Sequence, residues 1–259
     1  MDGLLELQGI DGNADRVAVA RLAMRIVAQM AGTHHVETGP PSRDLAQMLA
    51  RSARSGDPAM FSHLQSEFRK RRITGERVID VYIPAAVSII GAAWHDDEIS
   101  VLQATVAFAR LQDLLRELGI ACTADHAGRP DGPRVLLVLP LREQHTISAL
   151  LAASRMRRLG VSVSIEFLAG PAEVCERLSA QPFDAVFMSL ANRSGVATCE
   201  QIVQAIRRDG HSEVPVVIGG SIVTLDAGAV AAIGADLVSS HVDHALGACG
   251  LLVASDTVL

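Results

Sequence analysis

Five short aliphatic runs recur after residue 133 and constrain the fold more than any other feature: RVLLVLP (134–140), VSVSIEFL (161–168), DAVFMSL (184–190), VPVVIGG (214–220) and a weaker ADLVSS (235–240). Helical stretches separate them. Strands that alternate with helices predict a parallel five-stranded sheet covered on both faces, and the absence of polar alternation in RVLLVLP fits a central strand. Gly160 marks a helix end, and Pro171 opens the next helix at its first turn. The expectation is a flavodoxin-like α/β domain over 134–259.

Residues 1–123 read differently. Helical periodicity predicts helices near 15–31, 43–54, 58–71, 76–94 and 100–118, with no strand between them. In the fourth, Val78, Val81, Tyr82, Ala85, Ile89 and Ala92 make one apolar face, and Pro84 predicts a kink. In the fifth, Ser100 is the expected N-cap, Leu102, Val106, Ala109, Leu114 and Leu118 the buried side, and Gly119 the stop. The expectation is an all-α helical bundle. Between the halves, ADHAGRPDGP (124–133) has the composition of a linker, and the first 14 residues and 32–41 read as loosely ordered.

Composition narrows the function. With 23 Lys+Arg against 29 Asp+Glu the chain carries a formal charge of −6, the opposite of what unaided nucleic-acid binding needs. Hydrophobic residues at 49% and aromatics at 3% imply aliphatic cores. Cys122, Cys175, Cys199 and Cys249 form no CxxC pair, which argues against structural zinc or a thioredoxin motif. No signal-type N-terminus and no run of about 18 uninterrupted apolar residues occurs, so the chain is expected to be cytoplasmic. Arg69-Lys70-Arg71-Arg72 reads as a solvated helix end or as a docking site for an anionic partner. His34-His35 and the pair His241 and His244 lack a third donor at ligand spacing and read as surface residues.

In an open α/β sheet ligands bind outside the carboxyl ends of the strands, where strand order reverses. The loops that matter therefore follow the first strand (Leu141 to His145), the third (Ser189 to Ser194) and the fourth (Gly219-Gly220). His145 is the histidine of those loops, and Glu143 can bond one ring nitrogen while the other faces a metal. One histidine cannot hold a bare transition ion, which takes three or four protein donors, but it suffices for a macrocycle that brings four nitrogens of its own. His145 is equally compatible with an ordinary loop position, Ser189 with a helix cap, and Gly219-Gly220 with a turn.

These residues resemble a known motif. Glu143 to Ser148, EQHTIS, is similar to the cobalamin-binding pattern D-x-H-x-x-G. Ser189 follows 41 positions later where the pattern has S-x-L, and the Gly pair 30 beyond that. The resemblance implies that His145 replaces the cofactor's own base as lower axial ligand of cobalt, and that the displaced nucleotide tail inserts beside Ser189, Gly219 and Gly220. Glu143 stands where Asp is usual, Ser148 where Gly is usual and Ala191 where Leu is usual. Glu adds a methylene, and Ser148 narrows the room for the tail.

Val81 to Leu118, with Ile83-Pro84, Ile89-Ile90-Gly91, Trp94 and Glu98-Ile99-Ser100, resembles the helical cap of light-sensing cobalamin repressors and corrinoid methyl carriers, in which a Trp at the position of Trp94 covers the upper corrin face. Trp94 also fits half-buried packing. Ala104 and Thr105 stand where those light sensors carry Glu-His, so a solvent-derived hydroxo or aquo upper ligand, or another histidine, remains open. Taken over roughly 75–250, the chain resembles the AerR/PpaA group of photosynthesis regulators. That resemblance implies a light-responsive, cobalamin-binding antirepressor with no catalytic step. Its partner would be a CrtJ/PpsR-type repressor with PAS and helix-turn-helix domains, and DNA would be met only through that repressor. Two other readings use the same His145: a corrinoid methyl carrier in a methyltransferase system, and a haem-binding redox sensor, since haem also accepts a single proximal His.

Overall fold

A computed structural model describes residues 40–124, 132–143 and 145–252, with the backbone alone over 119–124. The expected helix at 15–31, the loose segments before residue 40, His34-His35 and most of the 124–133 linker lie outside the described residues, as does the side chain of Cys122. The chain divides into two compact units, Met1–Asp125 and His126–Leu259.

The first unit is helical: α1 (Arg43–Ser55), α2 (Pro58–Lys70), α3 (Gly75–His95) and α4 (Val101–Ala124). Leu45, Ala46, Leu49, Ala50 and Ala53 bury one stripe of α1. That helix ends at Gly56, whose φ of 68° is left-handed and whose N–H bonds Ser52 O at 2.9 Å. From α4, Arg110 reaches the same terminus and donates to the carbonyls of Ala53 at 2.9 Å and Arg54 at 3.1 Å, satisfying two acceptors that the helix end orphans. Asp57 caps α2 through Ala59 N, with Pro58 at the first helical position. Fully buried Phe68 and Tyr82 join α2 to α3, with ring centroids 5.4 Å apart and tilted at 55°.

The helix α3 departs from its expected periodicity. A π turn at Val78–Tyr82 precedes Pro84; a wider turn at this place accommodates the proline ring against the preceding carbonyls. The extra residue rotates the apolar stripe, so the buried positions are Val78, Ile79, Tyr82, Ile83, Ala86, Ile90 and Ala93, while Ala92 is exposed. By length and composition alone this helix is apolar enough to cross a membrane; here that stripe is buried. In α4, Ser100 and Gln103 form a reciprocal capping box. Its buried stripe is Ala104, Ala107, Leu111, Leu114, Leu115 and Leu118, which corrects the expectation for Leu102 and Ala109, both exposed. Ala104 and Ala107 head that buried line, and Leu102 falls off it. The helix runs through Gly119 to Ala124 instead of stopping there.

The second unit holds β1 (Arg134–Pro140), α5 (Thr146–Arg158), β2 (Ser162–Ala169), α6 (Pro171–Ala180), β3 (Ala185–Ser189), α7 (Val196–Arg208), β4 (Val216–Gly219), the short α8 (Ile222–Leu225) and α9 (Ala227–Ala231), β5 (Leu237–Val238) and α10 (Val242–Ala248). All five strands are parallel, in the order β2-β1-β3-β4-β5. This is the expected flavodoxin-like order, with the switch point between β1 and β3. Alternate residues of the central strands feed two cores. Leu136, Val138, Val186, Met188, Val216 and Ile218 pack with α6 and α7, and Val135, Leu137, Ala185, Phe187 and Val217 pack with α5 and α10. Burial on both faces explains why RVLLVLP shows no alternation.

Gly56→Ala is expected to destabilise the protein by about 1–2 kcal/mol in urea unfolding, because the position is left-handed and a Cβ would lie 2.4 Å from the Arg110 guanidinium. A double-mutant cycle with Arg110→Ala checks the cause: the two losses should sum to more than the double variant shows, since the first already displaces Arg110.

Candidate functional site

The chain leaves β1 through a tight turn. Arg142 takes a left-handed φ of 73°, and Glu143 N bonds back to Pro140 O at 3.0 Å. This turn sends the Glu143 side chain inward, where it is 1% exposed. A buried carboxylate costs several kcal/mol unless it is bonded, and Glu143 is bonded on both oxygens. Its Oε1 accepts from His145 N at 2.9 Å and pairs with His145 Nδ1 at 2.6 Å. Its Oε2 accepts from Ala191 N, in the loop after β3, at 2.8 Å. Burial pushes the Glu143 carboxyl up, but these bonds outweigh it and hold the carboxyl below its ordinary range. The Glu143 bond, opposed by partial desolvation, holds the His145 imidazole above its ordinary pKa.

His145 caps the start of α5, and its side chain is 57% exposed. With Nδ1 committed to Glu143, Nε2 is the nitrogen left for a ligand. Three residues on, Ser148 Oγ donates to His145 O at 3.1 Å and lies 3.3 Å from Ser189 Oγ, at the end of β3 and 6% exposed. Beside it Gly219 O accepts from Leu190 N at 3.0 Å. Gly220, at φ 97°, packs so closely that a Cβ there would sit 2.1 Å from Leu190 O. The glycine pair therefore answers to a close backbone approach as well as to a turn.

Glu143, His145, Ser148, Ser189, Ala191, Gly219 and Gly220 thus meet at one rim of the sheet. Ala191 takes part through its amide, which no side-chain motif could signal. Three further links were not visible in the sequence: Ser221 Oγ to Ala191 O at 3.3 Å, Ser194 Oγ to Arg142 O at 3.4 Å, and an ion pair between Arg193 and Asp226. They lace the loops after β1, β3 and β4 together. Trp94 belongs to the helical unit, where it lies one residue before the end of α3 and is 46% exposed. At the positions where a bundle Glu-His was absent, Ala104 is buried and Thr105 bonds its own helix through Val101 O.

Among the described residues no group of three or more His, Cys, Asp or Glu could hold a metal ion. A single exposed imidazole nitrogen, its partner fixed by a buried carboxylate, is a donor set that fits a metal already held by a macrocycle.

Comparison with known proteins agrees. Residues 133–249 match the B12 binding domain family. The chain is 40% identical over 177 residues to an uncharacterized 20.5 kDa protein in the bchF-crtJ intergenic region of Rhodobacter capsulatus, covering 68% of this chain and 92% of that one. The chain belongs to the B12-binding family, in its AerR/PpaA group. Two solved structures are similar to this family member at lower levels. A cobalamin-binding protein from Desulfitobacterium hafniense DCB-2 has 15% identity and a TM-score of 0.43, over 80% of this chain and 98% of that chain. The methanol:cobalamin methyltransferase complex MtaBC of Methanosarcina barkeri has 11% identity and a TM-score of 0.36, over 70% and 69%. Neither score bears on the site.

Glu143→Gln is expected to bring the His145 pKa down toward the ordinary value of about 6.5, as read by NMR titration of the ring. The wild-type pair contributes to stability where Glu143 is ionised and His145 protonated. That contribution is present above about pH 4.3 and below about 6.5. It fades as pH rises through the raised His145 pKa or falls through the lowered Glu143 pKa.

Proposed function

We propose that this protein is a cobalamin-dependent, light-responsive antirepressor that binds a CrtJ/PpsR-type repressor and alters its hold on DNA, without a catalytic step of its own. The observation that carries the cofactor part is the half-exposed His145 side chain whose Nδ1 is bonded to buried Glu143, which leaves Nε2 for a ligand. The regulatory part is supported by the 40% identical relative in the bchF-crtJ intergenic region, crtJ matching the name of the proposed repressor. His145 would be the lower axial ligand of cobalt, and Glu143 would fix its tautomer and raise its basicity. Ser189, Ser148, the Ala191 segment, Gly219 and Gly220 would receive the nucleotide tail. Trp94, half exposed, is the proposed cover for the upper corrin face. A bound corrin would supply a cobalt centre able to change its ligand in response to light, with a hydroxo or aquo form proposed. Regulation then requires that the two ligand states favour different protein conformations by a few kcal/mol.

The test is reconstitution with hydroxocobalamin followed by gel filtration and absorption spectroscopy. The wild type should retain a corrin spectrum that His145→Ala loses or shifts. Retention by wild type should weaken as pH falls below the raised His145 pKa, because the proton on Nε2 must leave before that nitrogen can bind a metal. A porphyrin spectrum in the purified protein, or a corrin spectrum indifferent to His145→Ala, would overturn the cofactor assignment. Repressor binding that is equal with and without cofactor, in light and in darkness, would overturn the regulatory one.

A further inference from the structure

Ser148 and Ser189 face each other across the seam between the first turn of α5 and the end of β3. A hydroxyl has one proton to give. A carbonyl only accepts, so while Ser148 gives its proton to His145 O at 3.1 Å the 3.3 Å contact, in which either hydroxyl can donate, runs from the Ser189 hydroxyl to Ser148 Oγ. The result is a directed chain, Ser189 to Ser148 to the His145 carbonyl. Ser189 is 6% exposed, and a buried hydroxyl stripped of its acceptor costs about 1–3 kcal/mol. Ser148 therefore meets the need that an incoming acceptor would otherwise meet. Just after Ser189 the backbone is closely packed, since Gly219 O holds Leu190 N and Gly220 lies against Leu190 O. The α5 seam is held differently, by one bond longer than the usual 2.5–3.0 Å for O–H···O.

We propose that Ser148 is a latch on this seam and sets which corrinoids the site prefers, according to their lower nucleotide. This rests on the cobalamin reading above. A complete corrinoid, whose tail ends in a base with an acceptor nitrogen, must take the Ser189 proton away from Ser148 and part the two hydroxyls. A corrinoid without a nucleotide can meet His145 and leave the latch closed. Ser148 thus lowers the preference for tailed over tailless corrinoids.

The experiment measures affinities of hydroxocobalamin and aquocobinamide, which lacks the nucleotide, for wild type, Ser148→Ala and Ser148→Gly, with folding checked by circular dichroism. Ser148→Ala removes only the hydroxyl and keeps the helix. Both variants should raise the cobalamin-to-cobinamide affinity ratio by about fivefold, the equivalent of one weak hydrogen bond, with cobinamide affinity little changed. Ser148→Thr, which keeps the hydroxyl and adds a methyl group to the seam, should lower the ratio. If wild type holds both corrinoids through His145 and the ratio stays within twofold in Ala and Gly alike, the latch is overturned and the cofactor reading stands. If neither corrinoid is held, the cofactor reading fails and the latch with it.

Discussion

A single carboxylate inside the α/β unit holds the site together. Glu143 is buried in a setting where an ionised group is tolerated only with its oxygens bonded. Both are: one by the ring and amide of His145, the other by the amide of Ala191. The first pair decides which imidazole nitrogen faces outward. The second ties the loop after β1 to the loop after β3, so the ligand residue is anchored to the neighbouring strand as well as to its own. Removing the charge would leave three donors with less to bond and would free the loop that carries His145.

The anchor works because the sheet brings the right strand ends together. Parallel pairing of β1 with β3 and of β3 with β4 sets Ser189 directly opposite Gly219, and the chain then reverses at Gly220 under the Leu190 carbonyl. The resulting rim has a rigid side, where backbone meets backbone, and a side closed by two hydroxyls. The cores below are aliphatic and packed on both faces of the strands, which gives the loops a fixed platform.

The strands are legible in the sequence because each is a short β-branched or leucine-rich run bounded by Gly, Pro or charge, and their parallel direction follows from the helices between them. The faces of α3 and α4 are less legible. With so many aliphatic residues and so few aromatics, several stripes are nearly equally apolar, and the choice among them is made by events outside the local pattern. A π turn ahead of Pro84 shifts one stripe by a residue, and in the other, small Ala104 and Ala107 are buried where Leu102 and Ala109 are not. At the site, the side chains His145, Glu143, Ser148 and Ser189 can be read from spacing, whereas the part played by Ala191 is a backbone amide and leaves no trace in residue type. The left-handed Arg142 is hidden for the opposite reason: arginine carries no preference for that conformation, and tertiary bonds impose it.

The substitution of glutamate for the usual aspartate is better understood as a change of reach than as a loss of fit. An aspartate at the same Cα would set its carboxyl about 1.5 Å further back, one C–C bond shorter. From there it could not keep both the His145 ring and the Ala191 amide within hydrogen-bond distance unless the loop moved. The longer side chain lets one carboxylate serve two loops, and the strained turn at Arg142 supplies the direction that the extra methylene requires. Glutamate at 143 and the left-handed residue before it are therefore two halves of one solution, and exchanging either alone should disturb the orientation of His145 more than exchanging both.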